Sequence, residues 1–221
     1  MKVKYLDNMG DELSVVNAAR VSFGKRVVEK GYHQYVLDGY YKTRPFVSDR
    51  DIRLIKYLAA HGHWTPFAHT CITFHVSAPI FVARQLAKHQ VGLVWNEMSR
   101  RYVDKDVTFY TPDAWRAKAE NKKQGSHASD LVEVDDADSL MSRCLDYYRF
   151  LIGKGVAPEQ ARIVLPQSMY TEWFWSGSLY AFSRMCKLRL ATDAQQETGF
   201  IAKEISDRCD QVFPVCWNSL L

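Results

Sequence analysis

Between Arg84 and Tyr102 the chain concentrates side chains that bind anions and move protons. Arg84, Lys88, Arg100 and Arg101 supply positive charge, His89 an imidazole, Glu97 a carboxylate, and Gln85, Asn96 and Ser99 neutral hydrogen-bonding groups. An arginine fork beside a hydroxyl and backbone amides suits a phosphate monoester, because paired charged hydrogen bonds fix both position and orientation. A solvated charged turn is the ordinary explanation of a charge run. Here the cations are interleaved with Gln, Asn, Glu and Ser and flanked by aliphatic and aromatic residues, which is the composition of a cleft. A nucleotide is the ligand that this set suggests.

The elements around the cluster follow from pattern. Pro79 suits a first helical turn, and Ile80, Phe81, Ala83, Leu86 and Ala87 recur at helical spacing, so a helix is expected over IFVARQLAKHQ. It would place Arg84 with Lys88, and Gln85 with His89, as i, i+4 pairs. Gly92 breaks the pattern, so VGLVW reads as a loop and NEMSRRY as a polar segment folding back. If that segment is extended, Ser99 and Arg101 share one side and Arg100 takes the other.

Upstream, TCITFHVSAP alternates Ile72, Phe74 and Val76 with polar residues, as a strand with one buried face does. Val3 and Tyr5 mark a short strand ended by Gly10, and Asp11 caps a helix ELSVVNAARVSF with Leu13, Val16, Ala19 and Val21 or Phe23 inward. SDRDIRLIKYLAAHGH carries a cap and a helical stripe stopped by Gly62. The stretch from Gly24 to Asp49 is tyrosine-rich and aperiodic and reads as a flap. Downstream, DVTFYTP reads as a strand, PDAWRAKAE as a short helix, and Asn121 to Asp138 as an exposed loop or helix start. A helix starting near Leu140 stops at Gly153 or Gly155, and Pro158 opens another that carries Arg162. The final helix, TGFIAKEISDRCDQVFP, turns Phe200, Ile201, Ile205, Cys209 and Val212 inward. Helices and strands together define an α+β class.

Bulk properties bound the rest. The 221 residues, 47% hydrophobic and 24% charged, suit one soluble domain spanning 1–221. A net charge of +4 is too mild for general nucleic-acid binding and suits a small anionic substrate. The five cysteines include no C-x-x-C pair and leave one over in any disulfide scheme, so reduced thiols, no metal site and a cytoplasmic location are expected. The N-terminus lacks an apolar signal region and no apolar run is long enough to span a bilayer, so neither export nor a membrane partner is expected.

Several blocks, in order, resemble the flavin-dependent thymidylate synthases. The family signature R-H-R-x-x-S-x-N-E-x-S-x-R-Y is matched fully in its second half by Asn96, Glu97, Met98, Ser99, Arg100, Arg101 and Tyr102. Its first half departs: Lys88 and Gln90 replace the arginines beside His89, the first serine is missing, and one extra residue precedes Asn96. AARVSF, whose Ser22 corresponds to a serine near the flavin, and HGHWTPFAH resemble further family blocks, as do VAPEQARIVLPQSMYT and the helix segment ending LRLATDAQQE.

This resemblance implies a small antiparallel sheet packed with helices and a homotetramer whose sites form between subunits. It implies reductive methylation of dUMP to dTMP, with FAD as cofactor, methylenetetrahydrofolate as carbon donor and NADPH as reductant. By matching position, Gln85, Glu97, Ser99, Arg100, Arg101, Arg162 and Arg189 would bind dUMP, with Arg189 stabilising charge on the pyrimidine. His63, Thr65, Lys88, His89, Gln90, Asn96 and Ser178 would face the flavin, His89 also serving catalysis. None of the five cysteines sits in the polar cluster, so covalent attack by a thiolate is not expected. Exchanging two arginines for Lys88 and Gln90 removes a guanidinium fork. The altered loop also leaves room for a flavin- and folate-dependent pyrimidine nucleotide hydroxymethylase, or for a non-catalytic nucleotide-binding protein.

Overall fold

Asp11 accepts from Ser14 N, and Ser14 Oγ accepts from Asp11 N, so a reciprocal capping box starts the first helix where the sequence places it. A computed structural model describes residues 1–28, 31–103, 106–118, 126–134 and 136–221, with backbone alone for 126–130. The order is β1 (Lys2–Met9), α1 (Glu12–Arg20), β2 (Tyr32–Leu37), β3 (Tyr40–Pro45), α2 (Asp49–Ala60), β4 (Cys71–Pro79), α3 (Ile80–Leu86) and β5 (Leu93–Glu97). There follow β6 (Trp115–Lys118), β7 (Ser126–Val132), α4 (Ala137–Gly153), α5 (Pro158–Ala161), β8 (Tyr170–Gly177), α6 (Leu179–Arg189), α7 (Gln196–Val212) and α8 (Pro214–Leu220). Short 3-10 turns cover Val21–Phe23, Thr65–His69 and Arg162–Val164.

The central sheet is antiparallel, in the order β1-β4-β8-β5, which is the small sheet packed with helices that the family resemblance implies. Alternation decides its faces: Ile72, Phe74, Val76 and Ala78 of β4 and Trp173 and Trp175 of β8 are buried, while Glu172 and Phe174 point outward. Against that face pack Phe182 and Met185 of α6, Ile201, Ile205 and Cys209 of α7, and Trp217 of α8. Burying each large apolar side chain contributes roughly 1.5–3 kcal/mol, so this layer fixes where the helix ends project.

Several expectations change. DVTFYTP forms no strand and contributes only an isolated bridge between Phe109 and Met169, and the stretch read as a loop or helix start contains β7. VGLVW is not a loop throughout, because Leu93 to Glu97 pair with β8 as β5. Gly24 to Asp49 contains a β2–β3 hairpin, turned by Asp38 and Gly39 with φ values of 48° and 87°. PDAWRAKAE supplies β6 in place of a helix, and its last two residues, together with 121–125, lie outside the described residues. Val21, Phe23 and Phe200 are exposed, because α1 gives way to a 3-10 turn and the inward stripe of α7 passes through its neighbours Ile201 and Ile205. The helix carrying Arg84 and Gln85 ends at Leu86, and a turn presents Lys88 and His89.

Helix α8 is anchored by a carboxylate nearly the whole chain away. Glu12, buried on α1, accepts from the backbone N–H groups of Val215 and Cys216 in the first turn of α8. Burial raises its pKa, an effect these N–H groups oppose. Glu12→Ala strands both donors and is expected to cost roughly 2–4 kcal/mol. A lower urea midpoint at unchanged slope is the expected reading, and an unshifted midpoint would contradict the anchor.

Candidate functional site

The sheet and the ends of three helices bring together residues that are far apart in sequence. The turn after α3 presents His89, and α6 ends at Arg189, so that Arg189 Nε donates to His89 Nε2 at 2.9 Å. This bond needs a lone pair on Nε2, so His89 is neutral with its proton on Nδ1. Burial lowers the His89 pKa below its ordinary 6.5, and the charges of Arg189 and Arg184 lower it further. Below pH 6.5 the unfolded chain therefore takes up a proton that the folded chain refuses. The stability held by neutral His89 is complete above that value and is lost as pH falls through the folded pKa. Imidazole nitrogen NMR at pH 6.5 should find His89 neutral in the Nδ1–H form; half-protonation there would contradict the pairing.

One turn earlier, Gln85 starts a second network. Its amide nitrogen donates to Gln195 Oε1, and its carbonyl accepts from Thr198 Oγ1 at 3.2 Å. Gln195 Nε2 donates to Glu197 Oε2 at 3.0 Å, and Glu197 Oε1 accepts from Arg116 Nη2 at 2.5 Å and Tyr110 OH at 3.5 Å. Burial pushes the Glu197 carboxyl up, but Arg116, its own backbone N–H and Gln195 together hold it below the usual carboxylate value. A cavity of about 410 Å³ adjoins this network, lined by Phe81, Tyr110, Trp115, Arg116, Gln195 and Glu197 among others. Sequence reasoning singled out neither Arg116, Tyr110 nor Thr198, and quoted Gln195 and Glu197 without roles.

A larger cavity of about 690 Å³ lies against the start of α6. Its walls are mainly apolar, from Val91, Leu93, Val94, Ala68 and the rings of Trp64 and Tyr180, whose centroids are 5.8 Å apart. Ser178, which caps α6 by accepting from Ala181 N, and Arg184 supply polar groups. Gly92 has φ 78°, and a Cβ there would come 3.0 Å from Ala181 Cβ, so only glycine lets this wall approach α6. Apolar walls, the exposed Trp64 ring beside the part-buried Tyr180 ring, and a guanidinium fit a flat aromatic cofactor with an anionic tail. Cys71 lines this cavity too, yet no base among the described residues hydrogen-bonds its sulfur.

The remaining expected residues are more scattered. His63 lies 6.0 Å from the Tyr57 ring in an exposed aromatic cluster, with Thr65 exposed nearby at the start of a 3-10 turn. Lys88, Gln90 and Asn96 are exposed, Asn96 on β5 opposite Phe174. Ser22 is exposed in the 3-10 turn after α1. Glu97 accepts from Thr171 Oγ1 at 2.8 Å and from Trp95 Nε1 at 3.3 Å. Arg101 donates from both its backbone N and its Nε to Ser99 Oγ at 3.3 Å, so hydroxyl, amide and guanidinium meet at one surface point. Arg100 is buried and donates to Val103 O; the segment is not extended here but a turn, in which Tyr102 N and Val103 N both donate to Ser99 O, so the alternation expected of a strand does not apply. Arg162 is exposed and donates to Glu159 O; no hydrogen bond or ion pair among the described residues joins it to Ser99, Arg101 or Arg189.

Known proteins are similar to this chain in architecture and in sequence. The family model described as Thymidylate synthase complementing protein matches residues 4–215. A flavin-dependent thymidylate synthase of Thermus thermophilus is 38% identical over 97% of this chain and 73% of its own length. The flavin-dependent thymidylate synthase of Thermosipho africanus is 36% identical over 99% of this chain and 90% of its own. The crystal structure of a UMP/dUMP methylase, PolB, from Streptomyces cacaoi bound with 5-Br dUMP gives a TM-score of 0.80 at 27% identity, covering 99% of this chain and 93% of that one. The aligned span and the shared fold leave one assignment: the chain belongs to the thymidylate synthase complementing protein family.

Proposed function

We propose that this chain converts dUMP to dTMP by flavin-dependent reductive methylation, with methylenetetrahydrofolate as carbon donor and NADPH as reductant. The observation that carries the reading is the Arg189 guanidinium locked by neutral His89, while no hydrogen bond among the described residues engages its two terminal nitrogens. Held in this way, Arg189 can donate to a pyrimidine carbonyl and stabilise negative charge gathering there as the ring carbon attacks. FAD, when bound, supplies the electrons that reduce the transferred carbon to a methyl group.

The protein's part is binding and orientation. The 690 Å³ cavity would take the flavin ring between Trp64, Tyr180 and the Gly92 wall, with Ser178 in its lining. His63, Thr65, Lys88, His89, Gln90 and Asn96 lie outside that lining and would meet the flavin, as the family resemblance implies, beyond the cavity itself. Ser99 and Arg101, with the backbone of Arg100, would hold the substrate phosphate, and Gln85 and Glu97 its sugar or base. Arg162, remote from these contacts within one chain, would reach the phosphate bound by a neighbouring subunit. A homotetramer provides that neighbour. Exposed Leu140, Tyr147 and Phe150 of α4, with Ile163 79% exposed, are apolar surface that subunit contact would cover. The five free thiols support a cytoplasmic setting.

The test is product analysis under anaerobic conditions with FAD, NADPH, methylenetetrahydrofolate and dUMP. Thymidylate is the expected product, formed only when all four are present. A hydroxymethyl nucleotide, or no nucleotide product from folded flavoprotein, would overturn the proposal.

A further inference from the structure

We infer that Glu197 and Gln195 are positioning residues for substrate recognition, setting through a polarity relay which end of the Gln85 amide is donor and which acceptor. The inference rests on the reading of Gln85 as a substrate-binding residue. A carboxamide has a carbonyl and an NH2 of nearly the same shape, so its orientation is set by its neighbours. The neighbours here form one directed chain. Arg116 has only donors to offer, and it donates to Glu197 Oε1 at 2.5 Å. An ionised carboxylate only accepts, so Gln195 must turn its NH2 toward Glu197 Oε2, at 3.0 Å. The Gln195 carbonyl is thereby left facing Gln85, which answers with its own NH2. The Gln85 carbonyl is then set toward Thr198 Oγ1, which donates at 3.2 Å.

The relay has one fixed end and one adaptable end. Glu197 is 6% exposed and is held ionised by Arg116, so its acceptor character persists at neutral pH. The Thr198 hydroxyl is fully buried and can donate or accept, so it follows the relay and does not set it. An NH2 group carries two hydrogens and a carbonyl two lone pairs, so Gln85 keeps one of each beyond the relay. A flip of Gln85 would exchange them and offer a nucleotide the wrong partner at both points. Arg116 comes from β6 and Glu197 from α7, so the polarity at α3 depends on the packing of the hairpin strand onto that helix.

The experiment uses the FAD-loaded full chain and measures Kd for dUMP and KM against kcat. Glu197→Gln keeps the shape but lets the amides turn, and is expected to weaken dUMP binding and raise KM about tenfold, the size of one misdirected buried hydrogen bond, with flavin retained. Moving the carboxylate one step, in the double variant Glu197→Gln with Gln195→Glu, restores an acceptor facing Gln85. It is expected to return KM to within about threefold of the starting chain. A role limited to pairing with Arg116 predicts no such rescue, because the double variant still lacks a carboxylate at 197. Gln195→Leu, which keeps the Arg116–Glu197 pair, covers poor folding of the first variant and is expected to raise KM similarly. Unchanged KM in Glu197→Gln or Gln195→Leu, or no rescue in the double variant, overturns the relay. Failure of the unaltered chain to bind dUMP removes the substrate reading itself, and the relay with it.

Discussion

Arg189→Ala is expected to reduce thymidylate formation by about 10³-fold or more while FAD stays bound, because it deletes a charge-stabilising donor and leaves the cavity walls intact. Arg189 touches His89 and does not line the 690 Å³ cavity, so the two losses separate. About 10³-fold corresponds to roughly 4 kcal/mol of transition-state stabilisation, beyond the worth of an exposed ion pair. The variant should also raise the His89 pKa toward its ordinary value, since one of the two arginines that lower it is gone. Wild-type turnover in a folded, yellow variant would refute the assigned role.

Gly177→Ala is expected to damage fold and cofactor site together. Gly177 ends β8 opposite Leu93 of β5, and a Cβ there would lie 2.5 Å from the Gly92 carbonyl and 2.4 Å from Leu93 Cδ2. The side chain could move aside, but the backbone carbonyl could do so only by parting β5 from β8. Overpacking of this kind costs roughly 3 kcal/mol. Gly92, Leu93 and Val94 wall the larger cavity, so the same displacement opens it. A lowered thermal midpoint with loss of retained flavin is the expected pair of readings; flavin retention at the starting midpoint would contradict the packing.

The parts of this fold legible in the sequence are those governed by local rules. Asp11 and Ser48 accept the backbone N–H groups their positions promise, and the alternation of β4 sets its buried face. β5 was hidden because five residues after Gly92 are too few to display a period, although Val and Trp favour strands. The Ala- and Lys-containing β6 looks helical by propensity, and its pairing with β7 overrides that preference. The β2–β3 hairpin did carry a signal, the Asp38–Gly39 pair, which the surrounding tyrosines obscured. Helix α8 is not legible because Pro214 reads as an end to α7, whereas it occupies the first turn of the next helix.

The site divides along the same line. Residue types in the Arg84 to Tyr102 stretch announce an anion site, but Ser99, Arg100 and Arg101 sit in a turn, and the burial of Arg100 beside them is set by tertiary packing that no strand alternation displays. No local pattern joins His89 to Arg189, 100 positions apart, or Arg116 to Glu197, 81 apart. Those pairs exist because the fold brings distant elements together; resemblance assigned His89 to the flavin and Arg189 to the pyrimidine but did not pair them.

A flavin site coupled to dUMP chemistry shows itself in the visible spectrum of the protein after FAD loading and desalting. A retained flavin band is predicted, bleaching with anaerobic NADPH and returning on addition of dUMP with methylenetetrahydrofolate. A folded protein that emerges colourless, or a reduced flavin that those two substrates leave unchanged, would contradict that coupling.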